Sequence, residues 1–304
     1  MIINNFINIS RVIGKIAIGI FLTYAVIFSI VGTIAIIYAY SFVMSPVLQV
    51  QYLKNHNPKE TAFMKDDRYD QNKKGVKGPA GGSLGSSNLR DSISQVFVPL
   101  GSISRNLRNA VIAAEDDGFY THPGFDVEAI LGAYEYNRNH NKIVRGGSTI
   151  TQQLAKNLFL SNDKNFLRKF KELGYTLLLE KFLDKNRILE LYLNYAQWGD
   201  NIYGCEAASL HYYKKPSAKL TLSEATRLAA SLASPERLTP LNERSGFLQK
   251  RIVVIADNLY KKHLYNDSDF IDAFGFKPSD DSSTVILPVK KVDPTSSIKR
   301  HGFF

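Results

Sequence analysis

The sequence contains a single cysteine, Cys205, and this excludes an intramolecular disulfide. The chain therefore carries no disulfide framework that would mark an oxidising compartment. The small neighbours Ala207 and Ala208 predict a buried thiol rather than a catalytic one. The six histidines are scattered and no His-Glu-x-x-His sequence occurs, so no metal site is predicted.

Charge is absent from a long stretch near the N-terminus. No Asp, Glu, Lys or Arg occurs in residues 16–53, and the apolar core at 16–43 exceeds the roughly 20 residues that a membrane-spanning helix needs. A cleavable signal peptide has an apolar region of only about 7 to 15 residues, so an uncleaved anchor is predicted. Arg11 and Lys15 precede the anchor, and basic residues favour the cytoplasmic side. Residues 1–15 are therefore expected in the cytoplasm and the rest of the chain outside it.

Acidic residues are fewer than basic ones, which leaves a formal net charge of +10 at pH 7. This excess favours an anionic partner, and for a membrane-tethered domain the candidates are lipid head groups, phosphates and anionic wall polymer. Nucleic acid is a weaker candidate, because no base-reading motif occurs and the predicted compartment is wrong. We therefore predict contact with membrane lipid and no nucleic-acid partner.

The residues after the anchor are polar and rich in glycine. Such a composition cannot bury enough apolar surface to fold alone, so residues 54–88 are predicted to form a stalk or a mobile loop. The glycines also suit a phosphate-binding loop, but no Gly-Lys-Ser or Gly-Lys-Thr sequence follows them. At the other end of the chain, residues 266–304 are acidic and rich in serine before a basic end, and are predicted to be a peripheral tail.

Between these two segments the sequence is helical in pattern, with few of the alternating stretches that would make strands. One mostly α-helical domain is therefore predicted at residues 89–265. Two pairs of residues match the capping box that opens a helix: Thr149 with Gln152, and Thr221 with Glu224.

Three carboxylates stand in a row at Glu115, Asp116 and Asp117, directly after the apolar sequence Val-Ile-Ala-Ala. A helix that ends here would place them at its C-terminus, where the helix dipole disfavours negative charge and like charges raise one another's pKa. A carboxylate tuned in this way suits a general base for a sugar hydroxyl. The alternative is an ordinary solvated acidic turn. His122 precedes a Pro-Gly pair, and we predict that it holds this turn by hydrogen bonding rather than binding a metal.

A second polar segment begins at Gly146 and Gly147, which allow backbone to approach a ligand closely. Ser148 and Thr149 then open a predicted helix whose N-terminal amides attract anions. Three polar residues of this helix share one face, namely Gln153, Lys156 and Asn157. Such a stripe is either a binding face or the solvated side of the helix, and the glycines and hydroxyls in front of it favour a binding face.

A third segment concentrates cations from Lys156 to Lys171, a density that suits two phosphates. Arg168 and Glu172 are four residues apart, so an ordinary surface ion pair is the alternative. The opposite face of this predicted helix is expected to be buried through its apolar residues Phe166, Phe170, Leu173 and Leu177.

Five motifs follow one another along this region. They are Glu-Asp-x-x-Phe-x-x-His-x-Gly at 115–124, Gly-Gly-Ser-Thr-Ile-Thr-Gln-Gln-Leu-x-Lys-Asn at 146–157, Arg-Lys-x-x-Glu at 168–172, and the stretches 185–194 and 199–208. Together they resemble the peptidoglycan glycosyltransferases of family 51. The sequence departs from the family's usual pattern at Gln197, where many relatives have an acid, and at Tyr213-Lys214-Lys215.

The resemblance implies a mainly α fold, in which a lysozyme-like helical lobe and a smaller jaw lobe follow one N-terminal transmembrane helix. The chain resembles the monofunctional biosynthetic type, because too few residues follow Leu241 to make a transpeptidase domain. Ser296 and Lys299 match a Ser-x-x-Lys pattern, but the sequence contains no Lys-Thr-Gly partner. No penicillin-reactive serine is therefore expected.

By the same resemblance, the expected reaction is the polymerisation of lipid II into β-1,4-linked glycan strands. Glu115 would act as the general base on the acceptor 4-hydroxyl, and Glu172 would support that step. The cations that would neutralise the leaving pyrophosphate are Lys156, Arg168 and Lys169. The residues expected to bind substrate in addition are Asp116, Phe119, His122, Ser148, Thr149, Gln153 and Asn157.

The resemblance also implies a single-pass protein of the bacterial inner membrane, with its catalytic domain on the periplasmic side. The expected partners are lipid II, the growing glycan strand, membrane lipid and proteins of the cell-wall or division machinery. A divalent cation, magnesium or manganese, is left open as an aid to the reaction, although no dedicated ligand set is visible. Two rival functions are a peptidoglycan-cleaving glycosidase, which could use the same lobe and two carboxylates, and a non-enzymatic wall-assembly scaffold.

Overall fold

The computed structural model describes residues 2–74, 93–139, 147–161 and 166–278. Over these residues the protein is mainly helical with one small sheet, as the sequence predicts. The chain forms two compact units, residues 1–55 and the remainder.

The first unit is dominated by one long helix, α1 (Ile2–Tyr52). Its stretch Ile13–Tyr52 is long and apolar enough to cross a membrane, and 18 consecutive residues within it have a mean hydropathy of 2.5. The hydroxyls of Thr23 and Thr33 each donate to the backbone carbonyl four residues earlier, at 2.8 Å, so these polar groups are satisfied inside the helix. The predicted long apolar helix at the N-terminus is therefore confirmed.

The second unit contains short strands and helices of moderate length. In chain order they are α2 (Ala62–Lys74), β1 (Ser94–Gln95), a 3₁₀ turn (Leu100–Ser102), α3 (Arg105–Glu115), α4 (Val127–Asn139), α5 (Ile150–Phe159), α6 (Phe166–Phe182), α7 (Lys185–Tyr195), β2 (Gln197–Gly199), β3 (Ile202–Tyr203), α8 (Cys205–Tyr213), a second 3₁₀ turn (Ser217–Lys219), α9 (Leu222–Ser231), α10 (Gly246–Lys261) and α11 (Asp267–Phe274). The strands form a sheet in the order β1-β3-β2, in which β3 is parallel to β1 and antiparallel to β2.

The helices that build the core of the second unit pack as two groups. Helix α3 packs against α9 and α10, while α5 packs against α2, α6 and α7. Large side chains fill this core, and Phe119, Tyr192 and Trp198 are fully buried. Because protein cores are close-packed, the end of α3 and the start of α5 are held on a rigid base.

Side-chain caps determine where the helices of this core begin. Ser104 accepts a hydrogen bond from the amide three residues further on, at 3.1 Å, and starts α3. Thr149 with Gln152 forms a capping box at α5, and Thr221 with Glu224 forms another at α9. These caps satisfy amides that have no partner inside the helix, and both predicted capping boxes are confirmed.

The buried face of α6 differs from the face that the sequence predicts. Phe170 is 74% exposed, and Leu173 and Leu177 are also exposed, while the side chain of Phe166 lies outside the described residues. The buried stripe of α6 instead contains Glu172, Thr176 and Leu179. A charged residue can occupy this stripe because Lys169 pairs with Glu172, and because the hydroxyl of Thr176 donates to a backbone carbonyl of the same helix at 2.7 Å.

Two segments that composition predicts as peripheral contain ordered helices. Within residues 54–88, helix α2 packs against α5, and its Asp67 accepts a hydrogen bond from the buried Tyr203. Residues 75–88, which include the glycine-rich stretch, lie outside the described residues. At the C-terminus, Asn266 caps α11 through a capping box, and the Ser296 and Lys299 pattern also lies outside the described residues.

Candidate active site

Glu115 is the last residue of α3, and its side chain is held by two donors from other helices. Arg251 of α10 donates to Oε1 at 2.9 Å, and the amide nitrogen of Gln153 of α5 donates to Oε2 at 3.0 Å. Only 13% of the Glu115 side chain is exposed. The carboxylate therefore lies at the junction of three helices and is not a solvated acidic turn.

The electrostatic setting of Glu115 combines burial with nearby cations. Burial raises the pKa of Glu115 above its ordinary value, while the charges of Arg251 and Lys156 and the hydrogen bond from Gln153 oppose that rise. Burial dominates, so the carboxylate binds a proton more readily than an exposed glutamate does. A carboxylate with a raised pKa suits the acceptance of a proton from a hydroxyl.

Each of the two donors to Glu115 is itself oriented by a further hydrogen bond. The hydroxyl of Tyr192 donates to Oε1 of Gln153 at 2.9 Å, which turns the amide NH₂ group toward Glu115. Nε of Arg251 donates to the carbonyl of Ala230 at 3.0 Å. Burial raises the pKa of Tyr192 well above its ordinary value, so Tyr192 remains a protonated donor. The side chains around Glu115 therefore have little freedom to rotate.

Asp116 joins the end of α3 to the start of α5. Its Oδ2 accepts from the amide of Ile150, the first residue of α5, at 2.9 Å, and its Oδ1 lies 2.7 Å from Nε2 of His122. The amide of Gly124 donates to Nδ1 of His122 at 3.2 Å, so the hydrogen of that ring is on Nε2 and is donated to Asp116. These contacts give Asp116 and His122 the role of holding the turn and α5 in place. Their contact with substrate stays a prediction.

Two further residues that the resemblance assigns to the substrate site are buried. Phe119 is fully buried, and the ammonium group of Lys185 lies 4.7 Å from the centre of its ring. Thr149 donates from its hydroxyl to the carbonyl of Gly124 at 2.6 Å while it also caps α5. Both side chains shape the site, and a direct contact of either with substrate stays a prediction.

The cationic side of the site lies along α5 and α6. Glu172 is 4% exposed and pairs with Lys169. Burial lowers the pKa of Lys156, the charge of Glu172 is the largest effect that opposes this, and Arg168 and Lys169 lower the pKa further. The charge of Glu115 also acts on Lys156. The charges of Glu115 and Glu172 therefore both act on Lys156, which lies between the predicted base and the predicted phosphate-binding cations.

Ser148 and Asn157 keep access to solvent, and Gln153 and Lys156 of α5 are partly exposed as well. Ser148 is exposed just before the cap of α5, and Asn157 is partly exposed near the end of the helix. Gly147 lies close to α4, since a β-carbon there would approach Cα of Ile130 to 3.1 Å. Gly146 lies outside the described residues.

Helix α10 contributes site residues that the motifs did not reveal. In addition to the contact of Arg251 with Glu115, Asn258 donates to the carbonyl of Ala113 at 2.9 Å, and Lys262 donates to the carbonyl of Asp117 at 2.7 Å. The last carbonyls of a helix have no partner within it, so Asn258 stabilises the end of α3. Lys262, the residue directly after α10, holds the turn that follows α3. A polar stripe on α10 is the only sequence signal that could have indicated them.

A resident metal ion does not fit the described residues. Among them, no group of three or more His, Cys, Asp or Glu side chains could hold a metal ion. Both oxygens of Asp116 accept hydrogen bonds from the protein. Burial raises the pKa of Cys205 to about 12, so the buried cysteine is a thiol and a poor ligand at neutral pH.

Comparisons with known proteins identify the family to which the chain belongs. A family model described as Transglycosylase matches residues 83–259. The chain is 47% identical over 180 residues to a biosynthetic peptidoglycan transglycosylase of Ralstonia nicotianae. The aligned region covers 59% of this chain and 72% of that relative. The chain is 44% identical over 189 residues to a protein of the same name from Cupriavidus pinatubonensis, which covers 62% of this chain and 70% of the relative. A relative of the same name from Paraburkholderia xenovorans is 43% identical over 200 residues, with 66% of this chain and 78% of the relative covered. The chain belongs to the transglycosylase family, whose catalytic domain is lysozyme-like.

Proposed function

We propose that the chain polymerises lipid II into β-1,4-linked glycan strands and releases polyprenyl pyrophosphate, with Glu115 as the general base. Its family makes it a peptidoglycan glycosyltransferase, and its relatives are biosynthetic peptidoglycan transglycosylases. The observation that carries the assignment of the base is the buried Glu115 carboxylate, whose pKa is raised and which two donors hold in place.

In the proposed step, the 4-hydroxyl of the acceptor loses its proton to Glu115 as its oxygen bonds to the anomeric carbon of the growing strand. The bond from that carbon to the pyrophosphate oxygen breaks, and the configuration inverts to β. An ionised carboxylate offers about four acceptor positions. Arg251 and Gln153 take two of them, so room remains for the substrate hydroxyl.

The negative charge that develops on the leaving pyrophosphate requires cations in fixed positions. We assign this role to Lys156, Arg168 and Lys169, and a supporting role to Glu172. The support for this assignment is the mutual influence of these four groups, since Glu172, Arg168 and Lys169 all act on the pKa of Lys156. Glu172 also pairs with Lys169, so it can orient that ammonium group toward the phosphates.

Sugar and phosphate contacts are assigned to the site residues that solvent reaches. Ser148 and Asn157 remain accessible and are proposed to contact the donor directly. Gln153 is engaged with Glu115 and Tyr192, so its proposed contribution is to hold the base.

The chain is proposed to be anchored by α1 in the inner membrane, with its N-terminus in the cytoplasm and its catalytic unit on the periplasmic side. Arg11 and Lys15 before the apolar stretch support this orientation. Membrane lipid is a further proposed partner, because large apolar side chains are exposed on two helices. They are Val127, Ile130, Leu131 and Tyr134 of α4, and Leu167, Phe170, Leu173 and Leu177 of α6.

The reaction should be tested with purified full-length protein in detergent and labelled lipid II, followed by digestion of the product with a muramidase. Polymer that the muramidase degrades supports the proposal. Soluble fragments released from intact wall would support the glycosidase instead. The absence of both polymer and fragments would support the non-enzymatic scaffold.

The assignment of the base should be tested with Glu115→Gln. Turnover should fall by about 10²-fold or more, because the amide cannot accept the proton, while donor binding persists. Asp117→Asn is the matched control, since this neighbouring carboxylate is exposed and should leave turnover near that of the wild type. Glu172→Gln should also impair turnover. Near-normal turnover in Glu115→Gln would reject the assignment.

The phosphate site should be tested with a phosphoglycolipid inhibitor of the moenomycin type. Lys156→Ala and Arg168→Ala should each weaken its binding by about 1.5 to 3 kcal/mol and lower turnover as well, if the contacts are charge-assisted hydrogen bonds. Arg168→Lys should restore only part of the affinity, because a point charge cannot reproduce the planar fork. Lys171→Ala, which removes an exposed cation from the same helix, is the control. Unchanged affinity in both alanine variants would place the donor elsewhere.

A further inference from the structure

Arg251 lies in the middle of α10 and reaches Glu115 across 136 residues of sequence. One guanidinium nitrogen donates to Oε1 of Glu115 at 2.9 Å, and Nε donates to the carbonyl of Ala230 at the end of α9, at 3.0 Å. The guanidinium is therefore held from two sides. A planar group that is fixed in this way offers the carboxylate a single geometry.

The groups that act on Glu115 lie on helices α5, α7 and α10. Helix α5 contributes Gln153 and the cation Lys156, and helix α7 contributes the neutral phenol of Tyr192. Asp116 and Asp117 follow Glu115 in sequence, but Asp116 accepts hydrogen bonds from the turn and from α5, and Asp117 pairs with Lys262. Among the described residues, Arg251 is the cation that bonds directly to the Glu115 carboxylate.

Removing Arg251 would leave a buried carboxylate with one neutral hydrogen bond and a more distant ammonium group. Burial disfavours the ionised form of a carboxyl group, so Glu115 would then hold its proton over a wider range of pH. A protonated Glu115 cannot accept a proton from the acceptor hydroxyl. Its carboxyl group would also be free to rotate away from the acceptor.

We propose that Arg251 is a positioning residue of the glycosyl transfer, whose guanidinium keeps the Glu115 carboxylate ionised and fixes its orientation. This inference rests on the proposed function, because it requires Glu115 to act as the base. It assigns a role to α10, which carries none of the five motifs that mark the site in the sequence. The role is exerted through Glu115, and substrate need not touch Arg251.

The inference should be tested with Arg251→Gln and Arg251→Lys in full-length protein, by measuring lipid II polymerisation from about pH 5 to 9. In Arg251→Gln, kcat at neutral pH should fall roughly 10- to 100-fold, the range expected for one charge-assisted hydrogen bond, with less than a threefold change in KM. The acidic limb of the kcat profile should move to higher pH, so that part of the loss is recovered in alkaline buffer. Arg251→Lys keeps the charge and should show a smaller shift.

Lys250→Gln is the matched control, because it removes an exposed cation from the neighbouring position of the same helix and should leave the profile unchanged. A fall in kcat that is equal at every pH, with no shift of the acidic limb, would mean that Arg251 is only structural and would overturn the inference. Wild-type kinetics in Arg251→Gln would overturn it as well. If Arg251→Gln does not fold, the profile of Arg251→Lys decides, since an unshifted limb there with normal kcat also contradicts the inference.

These outcomes can be separated from a failure of the proposed function. Absence of polymer from the wild-type protein, or full activity of Glu115→Gln, would reject the function itself. If the wild type polymerises lipid II and Glu115→Gln does not, then the pH profiles of the Arg251 variants test only the role of Arg251.

Discussion

Asp116 offers the sharpest test of how the site is assembled, because one side chain joins two helices. Asp116→Asn keeps the size of the side chain but leaves a single acceptor oxygen. In the wild type, the two carboxylate oxygens accept from Nε2 of His122 at 2.7 Å and from the amide of Ile150 at 2.9 Å. Asparagine can satisfy one of these donors, and its NH₂ group must then face the other.

The loss of stability expected for Asp116→Asn follows from these two contacts. A buried donor left without an acceptor costs about 1 to 3 kcal/mol. Loss of negative charge at the N-terminus of α5 removes a further 0.3 to 1 kcal/mol, approximately, of favourable interaction with the helix dipole. Asp116 is buried, so solvent cannot compensate. We expect Asp116→Asn to lower the free energy of unfolding by about 1.3 to 4 kcal/mol.

Thermal unfolding of full-length protein in detergent measures this effect. For a unit of this size, each kcal/mol corresponds to about 2 to 4 °C in Tm, so Asp116→Asn should lower Tm by about 3 to 16 °C. Asp117→Asn is the matched control, because the Asp117 side chain is 56% exposed and pairs with Lys262 at 3.0 Å. An exposed pair of this kind contributes about 1 kcal/mol at most. Equal Tm values for the two variants would refute the reasoning that Asp116 joins α3 to α5.

Three further predictions follow from backbone geometry and from pKa shifts. Gly124→Ala should destabilise the protein by about 1 to 3 kcal/mol, because φ is +93° there and a β-carbon would lie 2.7 Å from Cγ of Glu180. Gly101→Ala, which has open space around it, should not destabilise the protein, and equal free energies of unfolding for the two variants would contradict this. Burial raises the pKa of Cys205 to about 12, so iodoacetamide at pH 8 should label it only after unfolding, and equal labelling rates in native and denatured protein would disprove this. Because burial raises the pKa of Glu115 above 4.5, the ionisation of Glu115 opposes folding. The free energy of unfolding of the wild type, relative to that of Glu115→Gln, should therefore fall as pH rises from 4.5 through the raised pKa, and urea unfolding at several pH values would detect or exclude this trend.

Local chemistry explains why several parts of the site could be predicted from the sequence. The capping box of Thr149 and Gln152 involves residues of a single turn, so it needs no information about the rest of the fold. The end of α3 at Glu115 follows from the apolar run before the carboxylates and the Pro-Gly turn after them. Burial of Cys205 follows in the same way from its small neighbours. Each of these predictions depends on residues within a few positions of one another.

The orientation of α6 could not be predicted because the apolar residues of that helix indicate the wrong face. Periodicity assumes that the buried face is the apolar one. In this helix Glu172 and Thr176 are buried with Leu179, and Phe170 is exposed instead. The exchange is tolerable since Lys169 pairs with Glu172, so the carboxylate is not buried without a partner. A helix that brings a carboxylate to the interior can therefore leave its apolar residues on the surface, where membrane lipid is the partner proposed for them.

The contribution of α10 could not be predicted because its meaning depends on a distant helix. The spacing of seven and four residues between Arg251, Asn258 and Lys262 is typical of a solvated polar stripe on a helix. Their acceptors are the Glu115 carboxylate, one backbone carbonyl in the last turn of α3 and one in the turn that follows it, and backbone carbonyls leave no mark in the sequence. Once α3 is known to end at Glu115, the same spacing matches one carbonyl that the end of this helix would otherwise expose, together with the Glu115 carboxylate and the turn after it. The polar stripe of α10, which the sequence alone suggests is solvated, thus holds the end of α3 in place. It also holds the Glu115 carboxylate, which is proposed to take the proton.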